Sequence, residues 1–249
     1  VIVAATGASG DIPIQLLHVA SGPGMTHPRH LVVAEDGSAL SVIETYVGQG
    51  GESSWTNAVV QITVGDGAKL DWVKYQGEAA EAYHIAAMRV QLAKNAKFNA
   101  GFFALGSAIG RDDVVVTVSG SGAHCALNGV TLGRGQQSLT TLTSLDHAVA
   151  GANSDQMFKS VLDEGAQAAF LGKVIVRPDA QKTEAHQSNH NLLLARSAEV
   201  NTKPELEILA DDVACSHGAT VGEIDKEAMF YLLSRGLDET TARRLLVEG

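Results

Sequence analysis

Apolar and polar residues alternate through the middle of the chain with a period of two. Ala68, Leu70 and Trp72 are set against Lys69 and Asp71, and Met88, Val90 and Leu92 against Arg89 and Gln91. Successive side chains of an extended backbone point to opposite faces, so this spacing predicts short strands buried on one face only. A turn-like pair followed by alanine recurs among them: Gly37-Ser38-Ala39, Asp66-Gly67-Ala68, Lys94-Asn95-Ala96 and Ser121-Gly122-Ala123, then Glu164-Gly165-Ala166, Pro178-Asp179-Ala180 and Arg196-Ser197-Ala198. The alanines stand 29, 28 and 27 residues apart in the first four units, and 43, 14 and 18 apart thereafter.

A regular repeat of short strands and small corner residues is the pattern of a β-solenoid, in which each coil completes its core by stacking on the next. The competing architecture is an antiparallel β-sandwich, whose turns come about every 8–12 residues; the longer repeat favours the solenoid. In that setting Gln187-Ser188-Asn189-His190-Asn191 reads either as an amide ladder between coils or as a surface loop.

After Gly222 the period changes to that of a helix. Asp225 caps a segment whose Ala228, Tyr231 and Leu232 share a stripe, Gly236 stands where a helix ends in a left-handed residue, and Asp238 caps a second segment with Ala242, Leu245 and Leu246. The prediction is an all-β solenoid core over residues 1–222 and a helical hairpin over residues 223–249. The hairpin either covers the open end of the core or docks another protein.

Composition narrows the function classes. Of the 249 residues, 45% are apolar and 5% aromatic, which suits a buried core of thin stacked layers. With 18 Lys+Arg against 28 Asp+Glu the net charge is −10, and no basic cluster offsets it, so nucleic acid is not an expected partner. No run of roughly 18 apolar residues predicts a membrane span. Two distant cysteines, Cys125 and Cys215, point to a reducing compartment, cytoplasmic by default and plastid if a leader is removed. The chain begins at Val1 rather than Met, so an upstream segment is expected.

Thr6-Gly7-Ala8-Ser9-Gly10 has the look of a phosphate-binding loop, but such a loop must open a helix, and Pro13 and the turn-like Ser21 to Pro28 speak against one. Cys215-Ser216-His217 is the strongest candidate for chemistry. Residues two apart on a strand share a face with Cα atoms roughly 6–7 Å apart, so the thiolate and imidazole could both reach one metal ion. Two donors leave such a site incomplete, and a partner chain is the economical source of the rest. The alternative is a small buried Cys215 beside a hydrogen-bonded His217. A Cys–His nucleophile fits poorly, because neighbours on one strand face diverge. Asp211 and Asp212 read as solvated carboxylates, His186 and His190 as solvent-facing or ladder residues, and Cys125 as an inert core thiol.

Several longer segments carry a resemblance. They are Lys203-Pro204-Glu205-Leu206-Glu207-Ile208, Ala210-Asp211-Asp212-Val213, Cys215-Ser216-His217-Gly218-Ala219-Thr220 and Phe230-Tyr231-Leu232, with Ser234-Arg235-Gly236. His27-Pro28-Arg29-His30-Leu31-Val32-Val33, Asp155-Gln156-Met157-Phe158-Lys159-Ser160-Val161-Leu162, Ala180-Gln181-Lys182-Thr183 and Asn191-Leu192-Leu193-Leu194 add to it. Together these resemble the SufD branch of the SufB/SufD family of the SUF iron–sulfur cluster assembly system. The resemblance implies a right-handed parallel β-helix with helical terminal regions and a non-catalytic scaffold that binds no cofactor tightly alone. It implies pairing with a SufB-like paralogue, docking of a SufC-like ATPase, and a homodimer when the subunit is isolated. It further implies a transient iron or iron–sulfur cluster site at the partner interface, with His217 a ligand and Cys215 its neighbour. The hairpin from Asp225 to Gly249 becomes the ATPase dock, through Phe230, Tyr231, Leu232, Arg235, Leu245 and Leu246. The alternatives are a SufB-like cluster-carrying scaffold, which the scarcity of cysteine disfavours, and a solenoid polysaccharide lyase or hydrolase, which would need carboxylates recurring at one repeat position.

Overall fold

The computed structural model describes residues 1–10, 12–48 and 53–248. Asp11 of the glycine-rich opening and Gly249 at the end of the predicted hairpin lie outside the described residues. One parallel sheet runs in the order β1 (Ile2–Ala4), β4 (Arg29–Ala34), β6 (Ser54–Val64), β8 (Tyr83–Leu92), β10 (Ile109–Val118), β12 (Ser138–His147), β14 (Gln167–Val176) and β16 (Glu199–Ile208), with β3 (Gly24–Thr26) also paired to β6. The other runs from β2 (Ile14–Ala20) through β5 (Ala39–Gly48), β7 (Lys69–Gly77), β9 (Lys97–Ala104), β11 (His124–Gly133), β13 (Asn153–Leu162) and β15 (Glu184–Leu193) to β17 (Ala214–Glu223). The chain alternates between the sheets, so each coil contributes one strand to each. The fold is therefore a parallel β-helix, as the repeat predicts.

The corner residues explain the spacing. Strand register stacks Ser38, Ala68, Ala96, Ala123, Ala152 and Thr183 in one column. All six are buried, and each residue before them has a left-handed backbone: Gly37 at φ 66, Gly67 at 64, Asn95 at 55, Gly122 at 71, Gly151 at 70 and Lys182 at 61. Each coil turns here with a residue too small to hold neighbouring coils apart. Two details differ from the sequence reading. Ala39 lies one residue past its corner, which Ser38 occupies, and Ala166 and Ala198 belong to the opposite corner, where they stack with Ala82, Ala108 and Gln137. The irregular later spacing thus comes from mixing two columns, with Ala180 three residues ahead of the Thr183 corner.

Side chains facing inward from both sheets form the core. Val60, Leu70, Trp72, Val90, Phe98, Val116 and Leu127 are buried in one cluster, and Cys125 lies among them with its thiol pushed up by burial, as an inert core thiol requires. The interior also contains charge. Lys74 bonds Asp112 and approaches Nε2 of His84 at 2.8 Å, while Nδ1 of His84 lies 2.7 Å from Glu78, a close approach rather than a straight hydrogen bond. Glu78 also accepts from Thr56 at 2.5 Å and Gln76 at 3.0 Å. Burial, with the nearby Lys74 ammonium, lowers the His84 pKa; burial opposes ionisation of Glu78, but the proximity of His84 and the hydrogen bonds from Thr56 and Gln76 outweigh it and lower its pKa.

The Gln187–Asn191 run is neither a ladder nor a surface loop: Gln187, Asn189 and Asn191 face inward and are buried. Asn191 donates to Oδ1 of Asn189 at 2.6 Å, and Asn189 to the carbonyl of Phe158 at 3.1 Å. His186 and His190 point outward, each against a hydroxyl one coil on: His186 Nδ1 is 2.8 Å from Ser216 Oγ, and His190 Nδ1 is 3.0 Å from Thr220 Oγ1. Thr6 and Gly7 form a turn that opens no helix, which removes the phosphate-loop reading.

Candidate metal-ligand edge

β17 is the last strand of its sheet, bonded to β15 on one edge only. Register decides which way its side chains point. Cys215 pairs with buried Ala185 and His217 with buried Gln187, whereas Ser216 pairs with outward-facing His186. Cys215 and His217 therefore share the inner face of the sheet, as their spacing predicts. Beyond β17 no further coil of the described residues covers that face, so His217 is exposed and Cys215 only half-buried. Burial pushes the Cys215 thiol up, with a backbone hydrogen bond from Ala185 opposing it, so the unliganded sulfur favours its protonated form.

The interior changes character on approach to this edge. The inward column that ends at His217 reads Leu127, Gln156, Gln187, His217. Both amide atoms of Gln187 are buried without a hydrogen-bond partner, as are Nε2 of Gln156 and Oγ1 of Thr202. The absence of a side chain at Gly172 admits the Gln187 amide, since a Cβ there would meet its Nε2 at 2.3 Å. A polar lining behind His217 is costly in a closed core and suits an end that a hydrophilic group approaches.

Asp211 and Asp212 are exposed, and Asp212 pairs with Lys182, in agreement with the solvated reading. The hairpin forms where predicted, as α1 (Lys226–Ser234) and α2 (Glu239–Glu248). Asp225 accepts from the backbone N–H groups of Glu227 at 2.8 Å and Ala228 at 3.3 Å, Asp238 accepts from that of Thr241 at 2.9 Å, and Gly236 turns at φ 88. The helices pack on each other and leave β17 open, so they do not seal the end of the rod.

Of the hairpin residues singled out in sequence, Phe230 is 73% exposed, Tyr231 57% and Leu245 43%, with the Arg235 guanidinium over the Tyr231 ring; Leu232 and Leu246 are half-buried. Tyr231 thus leaves the inward stripe that the helical spacing assigned to it. Arg243 ties α2 to the core by donating to the Leu194 carbonyl at 3.0 Å. A groove of about 320 Å³ opens beside it, lined by Leu193, Leu194, Met229, Phe230 and Leu233 among others. Among the described residues no helix is long and apolar enough to cross a membrane.

Among the described residues the parallel β-solenoid ends in an unpaired strand that presents an exposed imidazole, with a helical hairpin beside it. The chain belongs to the SufB/SufD family: the family described as SUF system FeS cluster assembly, SufBD core domain, matches residues 17–249. It is 34% identical over 240 residues to the iron–sulfur cluster assembly protein SufD of Escherichia coli, covering 94% of this chain and 57% of that protein. A SufBD family protein of Synechocystis is 34% identical over 250 residues, covering 95% of this chain and 55% of the relative. The chloroplastic protein ABCI7 of Arabidopsis thaliana is 33% identical over 261 residues, covering 100% and 54%. The chain thus spans about half the length of the curated relatives it matches.

Proposed function

We propose that this chain is the solenoid of a non-catalytic, SufD-type scaffold that completes an iron–sulfur cluster assembly site together with a SufB-like paralogue. The observation that carries this reading is the placement of His217: exposed, on the inner face of an unpaired terminal strand, with polar side chains behind it. An imidazole there lends one donor to an iron ion or nascent cluster, and Cys215 on the same face lends a second when deprotonated. The remaining donors come from the partner. A site so divided holds its cargo only while the interface is formed, which suits transfer to a carrier. In the same reading the hairpin docks a SufC-like ATPase through Phe230, Tyr231, Leu232, Arg235, Leu245 and Leu246, and the exposure of Phe230 and Tyr231 supports it.

The test is anaerobic reconstitution of the complex from the full-length scaffold, its paralogue and the ATPase. His217→Ala should leave assembly of the complex intact and reduce cluster formation at least tenfold, while Phe230→Ala with Leu245→Ala should release the ATPase. Cluster formation unchanged in an assembled His217→Ala complex overturns the ligand role; retention of the ATPase by the double variant overturns the dock.

A further inference from the structure

At the opposite end of the rod, inward-facing positions that should be apolar carry His18 on β2, His30 on β4 and Glu44 on β5. Register places His18 beside Tyr46, His30 beside Val60 and Glu44 beside Lys74, all buried inner positions. One ligand atom from each of the three residues lies within 4.8 Å of the other two. Nε2 of His18 is 3.2 Å from Nε2 of His30. Two imidazole nitrogens bound to one ion at ~2.0–2.1 Å, at angles between octahedral and tetrahedral, lie roughly 2.8–3.4 Å apart. The pair is already spaced as two ligands of one metal would be.

The surroundings supply orientation and shielding. The Tyr46 hydroxyl donates to Oε1 of Glu44 at 2.6 Å, and its ring stacks on His18 with centroids 4.4 Å apart. This is the outer support that metal-ligating carboxylates and imidazoles require. Glu44 is itself buried, as a metal-ligating carboxylate shielded from bulk water would be, while Lys74 on the next coil is already paired with Asp112.

We propose that His18, His30 and Glu44 form a binding site for a first-row divalent cation of borderline softness, Zn(II) or Fe(II), separate from the His217 edge. Two imidazoles and one carboxylate leave further coordination positions for water. This proposal does not depend on the assembly reading, because its ligands lie on β2, β4 and β5 and include neither Cys215 nor His217.

The test is titration of the intact protein with Zn(II), and anaerobically with Fe(II), in a Cys215→Ser, His217→Ala background and in the unaltered chain. One ion should bind in both, and His18→Gln or His30→Gln should weaken it at least tenfold, while His186→Gln leaves it unchanged. The bound ion should also raise the thermal midpoint of the unaltered protein, and that rise should vanish in the glutamine variants. Glu44→Gln, which keeps an acceptor for Tyr46, should weaken binding as well and covers the case in which a histidine variant does not fold. X-ray absorption on the loaded unaltered protein should show two imidazoles and no sulfur. Affinity indifferent to all three ligand variants, or a shell lacking the imidazole pair, reduces the contact to a hydrogen bond between two histidines and overturns the site.

Discussion

Lys74 and Asp112 show what a single buried charge does in a stack of thin coils. Both side chains are almost fully enclosed and meet across the interior from opposite sheets. Removing one leaves the other uncompensated in a medium that solvates it poorly, which costs about 3–5 kcal/mol. Lys74→Met should lower the free energy of chemical unfolding by that amount, and adding Asp112→Leu should recover part of the loss. A double variant no better than the single would show that Lys74 acts through His84 and Glu44 instead.

His147 supplies a prediction in pH. Burial lowers its pKa from 6.5 to about 4, with nearby Asp146 opposing the change, and Nε2 lies 2.9 Å from Ser154 Oγ. The unfolded chain therefore takes up a proton that the folded chain refuses. Stability is full above pH 6.5, falls as the pH drops from there to about 4, and is constant in this respect below. Each pH unit within that window costs about 1.4 kcal/mol, so the whole loss is roughly 3 kcal/mol. His147→Gln should flatten the pH dependence of unfolding over the same window.

Among the elements, the corners carry the geometry, and glycine marks where two coils meet most closely. A Cβ at Gly120 would come within 2.0 Å of the Lys94 backbone nitrogen, a neighbour that moves only if its whole coil moves, whereas one at Gly218 on β17 meets nothing within 4 Å. Gly120→Ala should therefore cost about 1–3 kcal/mol in unfolding free energy, and Gly218→Ala no more than about 0.5. Equal effects of the two would mean that coil spacing is not set at that corner.

The corner repeat is also the most legible feature of the sequence. Period-two alternation identifies the inward faces of β7 and β8 correctly, and the caps at Asp225, Asp238 and Gly236 mark both helices. What blurs the repeat is chemical equivalence. Ala166 and Ala198 do at one corner what Ala96 and Ala123 do at the other, while Ser38 and Thr183 fill corner places without being alanine. A search keyed on alanine therefore merges two columns and drops members of each.

At the scale of the molecule, the two ends of the rod differ in how far sequence reaches them. Cys215 and His217 are near in sequence, so their shared face follows from strand geometry alone. His18, His30 and Glu44 are gathered from three strands and both sheets, a meeting that only the register creates. Their one signal in the sequence is parity: each is polar at an inward position, His18 following Ile14 and Leu16, His30 preceding Val32 and Ala34, and Glu44 between Val42 and Tyr46. That signal says a side chain is buried and polar, but not with what.

The free edge of β17 has a consequence of its own. An unpaired strand offers a row of backbone donors and acceptors, and natural sheets block such rows with charge when pairing is unwanted. Along β17 the five residues after His217, from Gly218 to Gly222, are uncharged, and Glu223 at the strand's last position is the one charge that follows them. The strand is therefore suited to pairing with another chain, whether a paralogue or a second copy. Val221, 52% exposed, is well placed to test this. A lysine there adds charge at the edge and, being exposed, should change the unfolding midpoint little. If this edge forms the interface proposed above, Val221→Lys should weaken association with the SufB-like paralogue at least tenfold and, where the isolated protein self-associates, shift its sedimentation toward monomer. If both associations persist at full strength, the contact surface lies elsewhere on the rod and His217 is not at the interface.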